Sequence, residues 1–194
     1  MKKIFGLFIF ILTYAFVVNA GICANSLEET KKEIIALYNS NQLEEAYSMI
    51  SKMTENERDY EIWYLLGNLS QDFNNDTNAS FYLQKSIIQN PEFDKAHYNL
   101  ANIYLKDKRY NMAIREYKLA IKYKKDFPYY YYNLGCAYLG LKEFKDAKNA
   151  FKKAIALKND VADFYYNLAY SYKNLGNDKE YQKAIETYNK LKED

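Results

Sequence analysis

Residue types that ordinarily carry chemistry are scarce in this chain: one histidine, His97, and two cysteines, Cys23 and Cys136, stand among 194 residues. No Ser-His-Asp or Cys-His arrangement is supported. Asp72-Phe73-Asn74-Asn75-Asp76 opens like a calcium loop. It fails at Thr77, where the loop needs glycine, and at Leu83, where it needs a bidentate glutamate. The segment reads as a turn between two helices, and no metal or cofactor is expected. A reactive thiolate needs an electropositive setting, so Cys136 reads as a small filler before it reads as a redox group. His97 reads as a packed core residue. The abundant type is tyrosine, at 22 residues, and a Tyr-Asn pair recurs at Tyr98-Asn99, Tyr132-Asn133 and Tyr166-Asn167. Rings and amides suit recognition, and the chain is read as a binding protein, not an enzyme.

The elements that must position those residues follow from a period of 34. Trp63, His97, Tyr131 and Tyr165 stand one period apart, as do Leu66, Leu100, Leu134 and Leu168. Gly67, Ala101, Gly135 and Ala169 form another column, and Ala79, Ala113 and Ala147 precede Leu83, Tyr117 and Phe151. Within one period the spacing is helical twice. His97, Leu100, Ala101 and Tyr104 make one stripe, and Tyr110, Ala113, Ile114, Tyr117, Ala120 and Ile121 make the second, with a polar turn from Lys106 to Arg109 between them. Only 6 glycines and 2 prolines interrupt the chain. Each period is therefore a helical hairpin that must stack on its neighbours to bury both faces.

These columns resemble the tetratricopeptide repeat, most closely at Trp63-Tyr64-Leu65-Leu66-Gly67 with Ala79 and Pro91. The resemblance implies an all-α, right-handed α-solenoid of about five stacked hairpins. A degenerate copy is expected over 27–59, full copies over 60–93, 94–127 and 128–161, and a last copy over 162–194. In that last copy Ala184 falls three residues late, which reads as a three-residue insertion near Gly176-Asn177-Asp178-Lys179.

The family lines a concave groove with the first helix of each hairpin. In this register the groove carries Tyr64, Asn68, Tyr98, Asn99, Asn102, Tyr132, Asn133, Tyr166, Asn167 and Tyr170, with Cys136 in the same row. The amides would hydrogen-bond a ligand backbone and the rings would supply contact area at low entropic cost. Packing within the array explains the same residues equally well. One subfamily clamps acidic chaperone termini with groove lysines, but Tyr64 and Tyr98 stand where the clamp lysine begins, so that role is disfavoured. An apolar segment of a partner protein fits better.

Residues 1–24 have a positive start, an apolar run from Ile4 to Val18, and small residues around Ala20, Gly21 and Ala24. That order is expected of a secretory signal peptide; an uncleaved membrane anchor, with membrane association through residues 4–22, is the alternative. Lipidation of Cys23 is disfavoured by Ile22 directly before it. The expectation is an exported scaffold or adaptor, periplasmic or extracellular, for a protein or peptide segment; the alternative is a membrane-associated assembly factor for a secretion, pilus or outer-membrane machine. Apart from Lys2 and Lys3 the chain balances 25 basic against 25 acidic residues. No block of like charge supplies a nucleic-acid surface, though a local patch stays open. Sequons at Asn68, Asn75 and Asn78 matter only in a eukaryotic host. The oligomeric state stays open as well, since Tyr181, Ala184, Ile185, Tyr188 and Leu191 form one side of the last helix and an exposed edge there could pair with another copy.

Overall fold

The computed structural model describes residues 26–193; the expected signal peptide or anchor over 1–24, including the 4–22 segment, lies outside them. Every regular element among the described residues is helical. Helix α1 covers 26–39. It is followed by α2 (Leu43–Lys52), a 3-10 turn (Glu55–Glu57), α3 (Tyr60–Asp72), α4 (Asp76–Gln89), α5 (Asp94–Lys106), α6 (Tyr110–Tyr123), α7 (Pro128–Gly140), α8 (Phe144–Leu157), α9 (Ala162–Asn174) and α10 (Asp178–Glu193). None of the described helices is long and apolar enough to cross a membrane. The chain divides into two compact units after Ile62.

In the first unit, α1 and α2 are joined by a turn in which Asn41 takes a left-handed conformation, φ 61°. Ile34, Ala46, Ile50, Met53 and Ile62 are the buried apolar residues of this unit. Asp59 receives the backbone N–H groups of Glu61 and Ile62, each at 3.0 Å, and so caps α3. Its other oxygen, with Glu61, holds the Lys31 ammonium. Burial alone would depress that lysine, but the two carboxylates outweigh it and raise it above its ordinary value.

The second unit is an α-solenoid of stacked hairpins. Each second helix packs on both the first helix of its own hairpin and that of the next, along α5, α6, α7, α8 and α9. A small residue faces a large one inside the α3–α4 and α7–α8 hairpins. A methyl group placed on Gly135 would lie 2.5 Å from the Phe151 ring, and one on Gly67 would lie 2.8 Å from Leu83. Leu83, Tyr117 and Phe151 are completely buried, so they cannot swing aside. The space therefore demands glycine there. Pro128 occupies the first turn of α7, where its missing N–H costs nothing.

The turn between the two helices of a hairpin repeats just as strictly. Asn74, Lys108, Lys142 and Gly176, 34 residues apart, all have positive φ, between 57° and 70°. Each is followed by an N–H that reaches back six residues inclusive to a carbonyl of the last turn, as in Arg109 to Tyr104 at 2.8 Å and Glu143 to Tyr138 at 2.9 Å. Gly176 keeps this spacing and α10 begins 34 residues after α8, so the last hairpin contains no three-residue insertion. Ala184 does not belong to the Ala79, Ala113 and Ala147 column. It lies in the column of Glu116 and Ala150, which are also buried, while Tyr181 stands one period after Ala147.

A histidine and a glutamate sit deep in this core. His97 and Glu116 are only 3% and 4% exposed and meet at 2.8 Å, Nδ1 to Oε2. The other ring nitrogen of His97 lies 3.0 Å from the Pro91 carbonyl, and Tyr123 stacks on the ring at 5.9 Å. Arg115 donates twice to Glu116 Oε1, at 2.9 and 2.7 Å. Burial pushes the Glu116 carboxyl up, but the hydrogen bonds from His97 and Arg115 outweigh it and hold the group below its ordinary value of 4.5. His97 is thus a structural residue tying α5 to α6, in keeping with its place in the Trp63 column.

Two expectations follow. A lysine at positive φ costs roughly 1–2 kcal/mol, and glycine gives back roughly 0.5–1 kcal/mol through unfolded-state freedom. Lys108→Gly and Lys142→Gly should therefore each stabilise the chain by about 0.5–1 kcal/mol in urea melts, and Gly176→Ala should destabilise it, by the same balance; a loss from both lysine changes would refute the strain assignment. Because the folded Glu116 carboxyl is depressed, its stabilisation is complete at neutral pH and lost as pH falls through the folded value. Glu116→Gln should cost about 3 kcal/mol at pH 7 and flatten the acid limb of a stability profile below pH 4.5. An unchanged acid limb would count against this.

Candidate partner-binding face

The ten residues expected to line a groove all lie on the first helices α3, α5, α7 and α9, within the second unit. Tyr64, Tyr98, Tyr132 and Tyr166 are equivalent by one period, and the structure treats the last of them differently. Tyr64 is half-buried and meets Phe93 edge-on at 5.1 Å. Tyr98 meets Phe127 at 6.1 Å and Tyr130 at 4.8 Å, and Tyr132 stacks on Phe164 at 4.8 Å. In each case the partner belongs to the next hairpin or to the connection leading into it. Tyr166 instead meets Tyr188 of α10 at 5.3 Å and is 51% exposed. Tyr170, one turn on, is 46% exposed and meets Phe144 edge-on at 6.3 Å.

The asparagines cross-link neighbouring hairpins. Asn99 Nδ2 donates to Asn68 Oδ1 at 2.6 Å and to the Tyr64 hydroxyl at 3.4 Å. Asn133 Nδ2 repeats the arrangement one hairpin later, reaching Asn102 Oδ1 at 2.9 Å and the Tyr98 hydroxyl at 3.0 Å. Asn167 donates to the Tyr132 hydroxyl at 2.8 Å. Its second acceptor is replaced, because Cys136 occupies the place that Asn68 and Asn102 hold in earlier hairpins. Asn102 Oδ1 also accepts from Tyr117 at 2.7 Å. The amide N–H groups of Asn99, Asn133 and Asn167 are therefore directed between repeats.

Burial shapes the acidity of this row. Desolvation raises Tyr98 and Tyr132 above the ordinary tyrosine value despite hydrogen bonds from the asparagines, so the phenols stay neutral donors and acceptors. Burial pushes the Cys136 thiol up to about 11, partly offset by a hydrogen bond from Tyr132. At neutral pH it is a thiol, not a nucleophile. No group of three or more metal-binding side chains occurs among the described residues.

The structure also brings in residues that the sequence reading left out. Tyr129 on α7 touches Phe127 at 5.6 Å and Phe164 at 5.6 Å, and Phe144 and Tyr188 flank the exposed pair. Tyr129 stands where other copies carry Glu61, Lys95 and Asp163, so a column comparison conceals it. Phe144 and Tyr188 come from second helices, which the groove pattern does not cover.

Comparison with known proteins agrees with this geometry. Tetratricopeptide repeat profiles match residues 82–115, 128–160 and 163–194, and a TPR repeat profile matches 102–142. No curated protein matches the chain in sequence. Among solved structures, MamA of strain AMB-1 superposes with a TM-score of 0.77 at 18% identity, over 86% of this chain and 92% of that one. MamA of strain MSR-1 gives 0.75 at 21% identity, over 86% and 97%. MamA from Desulfovibrio magneticus RS-1, residues 41 to the end, gives 0.74 at 20%, over 86% and 93%. At such identities these likenesses speak for the fold alone. With the 34-residue hairpin, the small-to-large packing and the four profile matches together, the chain is a tetratricopeptide repeat protein.

Proposed function

We propose that this protein is an exported scaffold or adaptor that holds an apolar segment of a partner protein against the Tyr/Asn face of its first helices. The observation that carries this reading is the pair Tyr166 and Tyr170, two rings one turn apart on α9 that stay about half exposed while the tyrosines equivalent to Tyr166 are packed under a following hairpin. Rings in that state offer large amphipathic contact area at little entropic cost. The asparagines hold the hairpins in register and so fix the spacing of the rings, and Asn68 and Asn102 add amide groups beside them. Export rests on the charge and hydropathy order of residues 1–24. If that segment is retained as an anchor, the same face serves a membrane-associated assembly factor.

The test uses a random peptide library displayed on phage, selected against the full chain. Binders should lose at least about ten-fold in affinity against Tyr166→Ala/Tyr170→Ala, a size in keeping with losing aromatic anchors, while helical content is unchanged. Binders held equally well by the double variant would place recognition elsewhere. Tyr98→Ala/Asn102→Ala is a less direct test, because it also removes inter-repeat packing.

A further inference from the structure

The outward stripe of the second helices has a composition that the groove does not explain. On α6 the solvent-facing positions at helical spacing are Asn111, Arg115, Lys118 and Lys122, all exposed. The same positions, 34 residues on, carry Lys145, Asn149, Lys152 and Ala156 on α8, then Lys179, Lys183, Glu186 and Lys190 on α10. One period earlier, on α4, they carry Thr77, Phe81, Gln84 and Ile88. All sixteen are exposed, and they hold 8 cations against a single carboxylate, Glu186, in a chain that is close to neutral as a whole. Solvated helix faces usually mix both signs as pairs three or four residues apart; on α6 and α8 this stripe does not, and only on α10 does Glu186 stand between Lys183 and Lys190. Between residues 108 and 158 the whole chain carries 13 basic and 4 acidic residues. One of those four, Glu116, is buried and already engaged by His97 and Arg115.

The α4 end of the stripe is apolar. Phe81 is 54% exposed and Ile88 74% exposed, an outlay of apolar surface that nothing in the hairpin packing requires. Lysine supplies 7 of the 8 stripe cations. Lysine is a point charge on a flexible stem, suited to a diffuse field of anions more than to the bidentate reading of single phosphates that favours arginine. The Lys118 ammonium lies over the Tyr138 ring, 5.6 Å from its centroid.

We propose that this stripe is a docking surface for an anionic lipid bilayer, with the lysines of α6, α8 and α10 meeting the headgroups and Phe81 and Ile88 entering the interface. Cations near a charged bilayer add attraction one by one, and exposed apolar side chains beside them convert that attraction into interfacial insertion. The surface is distinct from the Tyr/Asn face, which lies on the first helices, and independent of residues 4–22.

The test places a reporter on the stripe of the full chain. Ile88→Trp introduces an indole at an exposed site, while the native Trp63 is only 3% exposed and contributes a constant background. With vesicles of phosphatidylcholine and roughly one third phosphatidylglycerol carrying brominated acyl chains, the introduced indole should be quenched and blue-shifted at low salt, an effect weakened when the Debye length falls to about 3 Å near 1 M salt. Vesicles of phosphatidylcholine alone should leave it unquenched. Lys118→Glu/Lys122→Glu/Lys152→Glu, all at exposed positions, should reduce partitioning into anionic vesicles by about ten-fold or more. Because quenching reports the stripe itself, an N-terminal segment that inserts on its own cannot mimic it. Equal quenching in neutral vesicles, indifference to the three reversals, or a chain that binds duplex DNA or polyglutamate in preference to anionic vesicles would each overturn the proposal.

Discussion

The architecture depends on one close approach: a glycine on the first helix of a hairpin facing a large buried side chain on the second. Gly67 against Leu83 and Gly135 against Phe151 leave no room for a methyl group, so helix separation is set by contact, not by a soft average. Once that separation is fixed, the remaining apolar surface of each second helix lies where the next hairpin must cover it. The left-handed residue at the turn completes the constraint. Its recurrence at Asn74, Lys108, Lys142 and Gly176 gives every hairpin the same reversal, even where lysine must accept a strained conformation to provide it.

Uniform hairpins still need to be held in register, and the first helices do this with hydrogen bonds. Each neutral amide bond contributes only about 0.5–1.5 kcal/mol net, yet its directionality rejects slipped arrangements that apolar contacts would tolerate. Asn99 and Asn133 each grip an asparagine and a tyrosine of the preceding hairpin. If this face holds a partner as proposed, recognition and assembly draw on the same residues. What is left for a partner is decided by whether a following hairpin has already taken the ring, and at Tyr166 none among the described residues has.

Much of the fold was legible because its determinants repeat at a fixed interval. Columns of Leu, Gly or Ala, and aromatic residues at 34-residue spacing require only comparison of the chain with itself. The last hairpin departs from the sequence expectation for a physical reason. Ala184 looks like a displaced member of the small-residue column, but a helix has several buried positions, and alanine fits the Glu116 and Ala150 column as well. The turn was the better ruler, since left-handed backbone at Gly176 admits no sliding. Side-chain pairing was not legible at all. Nothing in Tyr-Asn distinguishes an amide aimed at a ligand from one aimed at the next hairpin, and nothing in the repeat columns points to a histidine-glutamate contact between positions 97 and 116.

Charge shows the same difference between linear and helical reading. A search for runs of like charge finds little, because residues that share one helical face are separated by three or four others. Only when the 34-residue period and the helical period are applied together do the cations of α6, α8 and α10 fall into one stripe, which Glu186 alone among the carboxylates enters. A repeat protein makes such segregation easy to build, since one substitution at an equivalent position in each copy extends the stripe by a full hairpin. The two helices of a hairpin can thus acquire different surface chemistry, aromatic on the first and cationic on the second, without altering the buried contacts that set their separation.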